Sequence, residues 1–328
     1  MKQVIFIKKN ADKWKKMEQL IHQKVKITPD ENADLFIQLT NDLAFAKTYY
    51  PNSDTTNYLN QLAATVHHKI YQNKKESNRR FITFWKTELP LVIKKHHKQL
   101  LIAFLIFFIS GAIGWVSAKY DDSFVRLILG DAYVNMTLEN IENDDPMAVY
   151  KQSKELDMFL GITINNIRVS FVAFILGLFF SFGTGFILFF NGVMLGSFQY
   201  FFAAKGLLFE SFLTIWIHGT LEISAIIIAG AAGITMGNSI LFPKTYPRAT
   251  SFINGAKNGI KIVIGLVPIF ITAGFLEGFV TRHTEMPTYL SLFIIFGSLS
   301  FIIWYFILYP TIIYHKLLSK PTKNNEYI

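Results

Sequence analysis

Residues 212–236 read FLTIWIHGTLEISAIIIAGAAGITM and decide the fold class. The run is longer than the ~20 apolar residues with which an α-helix crosses the hydrocarbon core of a bilayer. Its ionisable side chains are His218 and Glu222, and such groups are costly inside a membrane unless other parts of the protein enclose them. The run therefore predicts a membrane-spanning helix that carries a polar site and packs against further spans.

Other apolar runs occur along the chain, in which 51% of the residues are hydrophobic and 16% are aromatic. We predict an all-α fold, a polytopic membrane helical bundle of about six spans. The run 192–208 is short, so a five-span chain in which this run is re-entrant is the alternative. That alternative leaves one of the basic ends of the chain on the outer side, which argues for six spans. The predicted spans are residues 100–118, 167–190, 192–208, 212–236, 260–280 and 289–313.

Charge is distributed unevenly along the chain. Residues 1–98 contain 18 Lys and Arg against 9 Asp and Glu, whereas residues 99–328 contain 14 of each. A basic excess beside membrane spans marks the cytoplasmic side, so we expect lipid and protein partners and no nucleic acid. Residues 119–165 contain 9 acidic and 4 basic side chains, which favours the extracytoplasmic side. We predict a multi-pass protein of the plasma membrane with both termini in the cytoplasm.

These patterns divide the chain into three parts. Residues 1–97 are predicted to form a basic helical cytoplasmic domain. Residues 98–316 are predicted to form the transmembrane bundle, including the acidic extracytoplasmic segment 119–165. Residues 317–328 remain as a cytoplasmic tail.

Apolar residues at helical spacing predict a small helical bundle within the first part. Thr28-Pro29-Asp30-Glu31 and Ser53-Asp54 are typical helix starts. Residues 79–98 mix aromatic and basic side chains, which suits either the lipid headgroup layer or a simple positive flank of the first span, and we favour the flank. Apolar positions within 119–165 indicate helices that rest on the membrane. The predicted buried faces are Trp14, Met17, Leu20 and Ile21; Leu35, Leu39, Leu43 and Ala46; and Leu59, Leu62, Val66 and Ile70.

The sequence lacks the common signatures of catalysis. It contains no cysteine, which excludes disulfides, thiol catalysis and thiolate metal sites. It contains no Gly-rich phosphate loop, and no Ser, His and Asp order stands out. We therefore expect no enzymatic activity, no catalytic residue and no cofactor.

His218 and Glu222 are the sharpest candidates for a functional site. Four residues apart, they lie about 40° from each other on one face of a helix. They could form an intramembrane functional site or a structural pair that holds the span to its neighbours, and the sequence favours neither. A metal site needs a third ligand, for which His283, Glu277 and Glu210 are candidates by location alone. We therefore predict no metal.

Four further polar residues are candidates. Glu277 stands near the outer end of the fifth span, either partly buried or in a loop, and the sequence favours the loop. Asn165 and Asn166 stand at the outer start of the second predicted span, where helix capping is the simpler interpretation. Arg248 lies in a basic cytoplasmic loop, where contact with lipid phosphate is the ordinary role.

Glycines recur at spacings of three or four residues within the spans. Such spacings let helix backbones approach closely. Gly192 with Gly196, and Gly230 with Gly233, are predicted to be helix-packing positions. The pattern does not distinguish packing inside one chain from the interface of a homo-oligomer.

Several short motifs stand in a characteristic order along the chain. In this order the chain resembles the stage II sporulation protein M family of integral membrane proteins, in its long form with an N-terminal helical domain. The motifs are Asn165-Asn166, Phe174, Gly177, Gly183-Thr184, Asn191-Gly192, Gly196, His218-Gly219-x-x-Glu222, Ala229-Gly230, Gly233, Pro243, Arg248 and Glu277-Gly278-Phe279, preceded by Asp42-Leu43, Tyr49-x-Pro51, Tyr58-Leu59-Asn60, His67, Tyr71, Asp145-Pro146-Met147 and Tyr150.

The resemblance implies a role in assembly. The namesake of the family is similar to a membrane anchor for cell-wall hydrolases in spore formers. Long forms are often encoded near MoxR-type ATPases and von Willebrand A-like proteins, which implies a cytoplasmic protein partner. The resemblance adds no catalytic residue.

Our leading expectation is an integral membrane scaffold that links cytoplasmic and envelope partners. The rival is a transporter or lipid translocase that uses the intramembrane His218 and Glu222. A third class, an intramembrane enzyme, predicts a bound metal.

Overall fold

A computed structural model describes residues 2–22, 29–71, 80–151 and 154–319 of the chain. Within these residues the fold is helical throughout and contains no strand, so the predicted all-α class is confirmed. The chain forms two compact units, Met1–Arg80 and Phe81–Ile328.

The first unit consists of α1 (Gln3–His22), α2 (Pro29–Tyr49) and α3 (Asp54–Tyr71). Its three helices share an apolar core of their own. The indole Nε1 of Trp14 donates a hydrogen bond of 2.8 Å to Asp42 Oδ2, so the buried ring has its polar atom satisfied. The buried residues of this core are Phe6, Trp14, Met17, Leu39, Ala46, Leu59, Leu62, Ala63 and Val66.

The starts of α2 and α3 agree with the sequence signals. α2 begins at Pro29, and α3 begins at Asp54, whose carboxylate favours a helix N-terminus. Ser53 Oγ accepts a hydrogen bond of 3.3 Å from the Thr56 backbone N–H. Thr28 and the side chains of Leu20, Ile21 and Ile70 lie outside what the structure describes.

The second unit contains six helices that are long and apolar enough to cross a membrane, which confirms the predicted bundle. Helix α4 (Arg80–Thr83), a π-helical turn (Phe84–Glu88) and α5 (Leu89–Lys95) precede them. Helices α7 (Asp122–Leu129) and α8 (Asp131–Glu142) and a 3₁₀ turn (Ala148–Lys151) follow the first span. The spans are α6 (His97–Tyr120), α9 (Glu155–Leu178), α10 (Phe182–Ala204), α11 (Leu208–Leu241), α12 (Arg248–Thr281) and α13 (Thr288–Leu318).

The two ends of the bundle differ in charge. The end that carries Lys98, Lys244 and Arg248 is called the basic end, and the end that carries α7 and α8 is called the acidic end. α6 leaves the basic end and α13 returns to it, since six crossings are an even number.

Helix α11 is the central helix of the bundle. In the most apolar stretch of α11, 67% of the residues are buried, whereas the corresponding share is 22% in α6 and in α13. It contacts every other span. The Ala and Gly residues of α11 between Ala225 and Gly237 let the neighbouring helices approach closely. The exposed apolar side chains of α6 and α13 face outward.

The second and third spans differ from the prediction. The predicted span 167–190 contains a hairpin turn at residues 179–181, so α9 begins at Glu155 and α10 at Phe182. The turn contains neither Gly nor Pro, the residues that most often mark a turn in a sequence. Phe180 and Ser181 adopt left-handed backbone conformations, with φ of 52° and 70°, which side chains other than Gly seldom do.

Residues 81–97 also depart from the interpretation as a simple flank of the first span. Leu89 and Ile93 belong to the apolar core of the bundle. The Tyr305 hydroxyl donates a 2.7 Å hydrogen bond to the Trp85 carbonyl, and Lys94 Nζ donates to Thr311 Oγ1 at 2.9 Å. These contacts place the unit boundary at Arg80 and not at residue 97.

The acidic segment covers one end of the bundle. Val125 of α7, Val134 of α8 and Met147 pack against Phe202 of α10 and Ile215 of α11. The predicted helices of this segment are present, and they rest on the spans themselves. Residues 155–165, which were assigned to this segment, belong to α9.

The four predicted packing glycines all lie at helix contacts inside the chain. A Cβ at Gly192 or Gly196 would overlap the backbone of α6, and one at Gly230 or Gly233 would overlap side chains of α10. These positions serve the internal packing of the bundle.

A comparison of two glycines of α10 tests this packing. Gly196→Ala forces a Cβ against the Gly111 carbonyl, and overpacking of this kind costs about 1–3 kcal/mol. Gly185→Ala meets no atom within 4 Å and serves as the matched control. We expect a lower thermal unfolding midpoint in detergent for Gly196→Ala and an unchanged or higher one for Gly185→Ala. Equal midpoints for the two variants would contradict the assigned contact.

His96, between α5 and α6, makes the fold sensitive to acid. Burial, and then the charge of Lys95, lowers the pKa of His96 to about 4. The Asn258 Nδ2 lies 3.2 Å from His96 Nε2, where a neutral ring accepts the hydrogen bond and a protonated ring cannot. Since the unfolded chain binds this proton at about pH 6.5, stability falls as the pH drops from about 6.5 to about 4.

The variant His96→Gln tests this sensitivity, because its amide oxygen can still accept from Asn258. We expect the unfolding midpoint of the wild type to fall more steeply than that of the variant between pH 6.5 and pH 4. Parallel pH profiles would show that His96 is not the responsible group.

Candidate functional site

Three ionisable side chains meet inside the bundle near its acidic end. His218 and Glu222 of α11 and Glu277 of α12 each bring a possible ligand atom within 4.8 Å of the others. The side chain of His218 is 5% exposed and that of Glu277 is 14% exposed. The helical spacing of four therefore places His218 and Glu222 on one face, as predicted, and α12 supplies the third group.

Glu277 corrects the sequence interpretation, which favoured a loop carboxylate. It lies in a π-helical turn, Leu276–Thr281, that ends α12. Such turns are frequent at functional sites, because the extra residue reorients the side chains. Here Glu277 Oε1 lies 3.7 Å from His218 Nε2.

The hydrogen bonds around His218 are compatible with a ring that is protonated at Nδ1. The hydroxyl of Thr281 donates its proton to the Leu276 carbonyl at 3.1 Å. The same hydroxyl oxygen lies 3.0 Å from His218 Nδ1, so it accepts from Nδ1–H when its own proton goes to Leu276. In that tautomer the neutral ring presents the Nε2 lone pair toward the Glu277 carboxylate, which is the form in which Nε2 can bind a metal.

A cavity of about 610 Å³ adjoins this cluster. It extends between α9 and α10 over the face of α11, and α7 and α8 contribute to its wall. Within the described residues its lining includes no Lys or Arg. The polar and ionisable residues that line it are Tyr133, Tyr150, Asn165, Asn166, Asn191, His218, Glu222 and Glu277.

Asn166 is the buried polar residue of the α9 wall. The structure places it inside α9, well after the helix start at Glu155, so the predicted capping role is wrong. Its side chain faces the Glu222 carboxylate. Its Nδ2 makes no other hydrogen bond among the described residues. Asn165 lines the same cavity but is exposed.

Tyr150 covers the cluster from the acidic segment. Its ring makes an edge contact with the His218 ring, with 5.7 Å between centroids. Burial raises the pKa of Tyr150 well above its ordinary value, and the charges of Glu277, Tyr133 and Glu222 raise it further. The phenol therefore keeps its proton at neutral pH.

The remaining sequence candidates lie elsewhere. Arg248 is exposed at the first residue of α12, roughly 40 Å along the helix from Glu277. Glu210 and His283, named as third metal ligands by location, are exposed and outside the cluster.

Thr281, Tyr150 and Asn191 are site residues that the sequence analysis did not single out for this cluster. A sequence signal exists for Thr281, which follows Glu277 by four residues as Glu222 follows His218. Tyr150 and Asn191 reach the cavity through tertiary packing alone.

The fold and this cluster define the chain as a multi-pass helical membrane protein with a buried polar site. Comparison with known families identifies the family. The model of stage II sporulation protein M matches residues 103–282, which is more than half of the chain. The chain belongs to this family.

Two further comparisons concern the N-terminal unit and a related archaeal protein. Residues 4–72 match a separate model, a domain of unknown function (DUF8413). An uncharacterized protein of Methanocaldococcus jannaschii is 26% identical over 194 residues, which are 57% of this chain and 83% of that protein. No solved structure matches the chain.

Proposed function

We propose that the chain is an integral membrane scaffold whose N-terminal unit holds a cytoplasmic protein partner. The observation that carries the proposal is its two-part construction. Met1–Arg80 and Phe81–Ile328 are separate compact units, and each contains its own apolar core. Each is also matched by its own family model.

The proposed orientation follows from charge. The basic end, with Lys98, Lys244 and Arg248, faces the cytoplasm, where anionic lipid attracts it. The acidic segment then lies outside the plasma membrane, where α7 and α8 offer a surface to an envelope protein. Neither role requires catalysis, so the proposal is that of a non-enzymatic component.

Deletion of the first unit tests the scaffold proposal. A chain that lacks residues 2–80 keeps Leu89 and Ile93 in the bundle core and should insert into the membrane normally. We expect affinity purification from native membranes to recover a stoichiometric protein partner with the full chain and not with this truncated chain. Undiminished recovery of the partner would contradict the proposal.

Two controls separate lost docking from lost folding. A deletion that extends to residue 95 also removes Leu89 and should reduce insertion of the bundle. Trp14→Ala removes a buried indole and lowers the free energy of unfolding of the first unit by about 3–5 kcal/mol. This is enough to unfold the first unit while the membrane bundle stays folded. It should therefore reproduce the effect of the shorter deletion.

A second candidate function is transport of protons or other cations, which the cavity beside Glu222 and Glu277 favours. Ionisable groups that face a cavity within a membrane bundle are typical of ion pathways. The cavity is lined by residues of both α9 and α10 and leaves room for an aqueous path.

Proteoliposome flux measurements test this second candidate. Glu222→Gln removes an ionisable group from the cavity, so a transporter should lose its pH-dependent proton flux. Glu210→Gln, an exposed position on the same helix, is the control and should retain flux. Equal flux in the two variants would exclude a role of Glu222 in transport.

A further inference from the structure

The cluster near the acidic end brings one imidazole and two carboxyl groups close together. His218 Nε2 lies 3.7 Å from Glu277 Oε1, and Glu222 brings a second carboxyl group within 4.8 Å of them. Charges of one sign in a buried site repel strongly because little water screens them. A positive species between the three groups removes this repulsion.

Among the described residues, no Lys or Arg lines the cavity. The cavity lining therefore supplies no permanent positive charge to the cluster. Arg282, next to Thr281 in the chain, binds Glu155 at 2.7 Å on the acidic side. The positive species must therefore be a proton or a bound cation.

We infer that His218, Glu222 and Glu277 bind a divalent transition-metal cation, with Zn²⁺ as the best match to the ligand set. Imidazole nitrogen with carboxylate oxygen is a donor set that Zn²⁺ accepts in sites with three protein ligands and an open position. A site of oxygen donors alone would suit Mg²⁺ or Ca²⁺ better, and the imidazole is what favours a transition metal.

Thr281 gives His218 the support that metal-binding imidazoles need. By accepting from Nδ1–H it orients the ring and leaves Nε2 as the donor atom. Such outer partners are a general feature of histidine ligands in metal sites. Thr281 is 1% exposed, so its hydroxyl is held in place by packing.

Asn166 adds a buried amide beside the cluster. It is 4% exposed, lines the cavity and faces the Glu222 carboxyl group, and its Nδ2 makes no other hydrogen bond within the described residues. A water or an anionic group held on the cation from the cavity side would satisfy this donor.

The inference goes beyond the scaffold proposal and does not depend on it. The test is calorimetric titration of the purified full chain, stripped with chelator, with ZnCl₂ and separately with MgCl₂. We expect a single equivalent of Zn²⁺ to bind more tightly than Mg²⁺. No Zn²⁺ binding, or equal affinity for Mg²⁺, would overturn the inference and leave a shared proton as the positive species.

Variants test the assignment of the ligands. His218→Ala and Glu277→Gln should each lose Zn²⁺ binding, whereas His283→Ala, which removes an exposed histidine outside the cluster, should retain it. Retained binding in both ligand variants would place the metal elsewhere and reject the site. Elution of each variant as a single folded species in size-exclusion chromatography accompanies the titration.

Thr281 provides a test that does not remove a ligand. Thr281→Val keeps the side-chain shape but removes the hydroxyl, and should weaken Zn²⁺ binding roughly 10- to 100-fold. Thr281→Ser restores the hydroxyl and should restore the affinity. Equal affinity for the Val and Ser variants would contradict the proposed support of His218. Retention of the protein partner by these variants distinguishes loss of the metal from failure of the scaffold proposal.

Discussion

The structure depends on the need to enclose α11, a helix that carries His218 and Glu222 into the hydrocarbon region. Ionisable groups at this depth are tolerated only where protein surrounds them. The other spans meet this need by packing around α11, which is the most buried of the six. α12 then brings Glu277 and Thr281, and the acidic segment brings Tyr150.

Close enclosure requires that helix backbones approach each other. Glycines make this approach possible at defined positions: Gly196 meets the α6 backbone, Gly233 meets Thr184 and Ala173, and Gly237 meets Ser181. The last contact secures the hairpin between α9 and α10, where Ser181 Oγ also donates to the Ile234 carbonyl at 3.3 Å. The two helices join at this hairpin, and residues of both line the cavity beside the cluster.

The helical class and the number of spans could be predicted from hydropathy, because each span must be long and apolar to cross a bilayer. The pairing of His218 with Glu222 also followed from local geometry. The hairpin at residues 179–181 could not be predicted, since Phe180 takes a left-handed conformation that its residue type disfavours. The burial of Glu277 could not be predicted either, because only the packing of α12 on α11 brings it to face His218.

The site and the acidic segment are mechanically connected. Tyr150 belongs to a 3₁₀ turn of that segment and lies over the His218 ring, while Val125 and Val134 fasten the segment to α10 and α11. A protein that bound this segment, as the scaffold proposal supposes, would act on residues that contact the cluster directly, since the Tyr150 ring touches the His218 ring. Conversely, a cation between His218 and Glu277 would draw together α11 and α12, beside the His218 ring that Tyr150 contacts. Binding of a protein to the acidic segment and binding of a cation to the cluster would both change the contact between Tyr150 and His218. The proposed scaffold role and the proposed cation site are therefore compatible in one bundle.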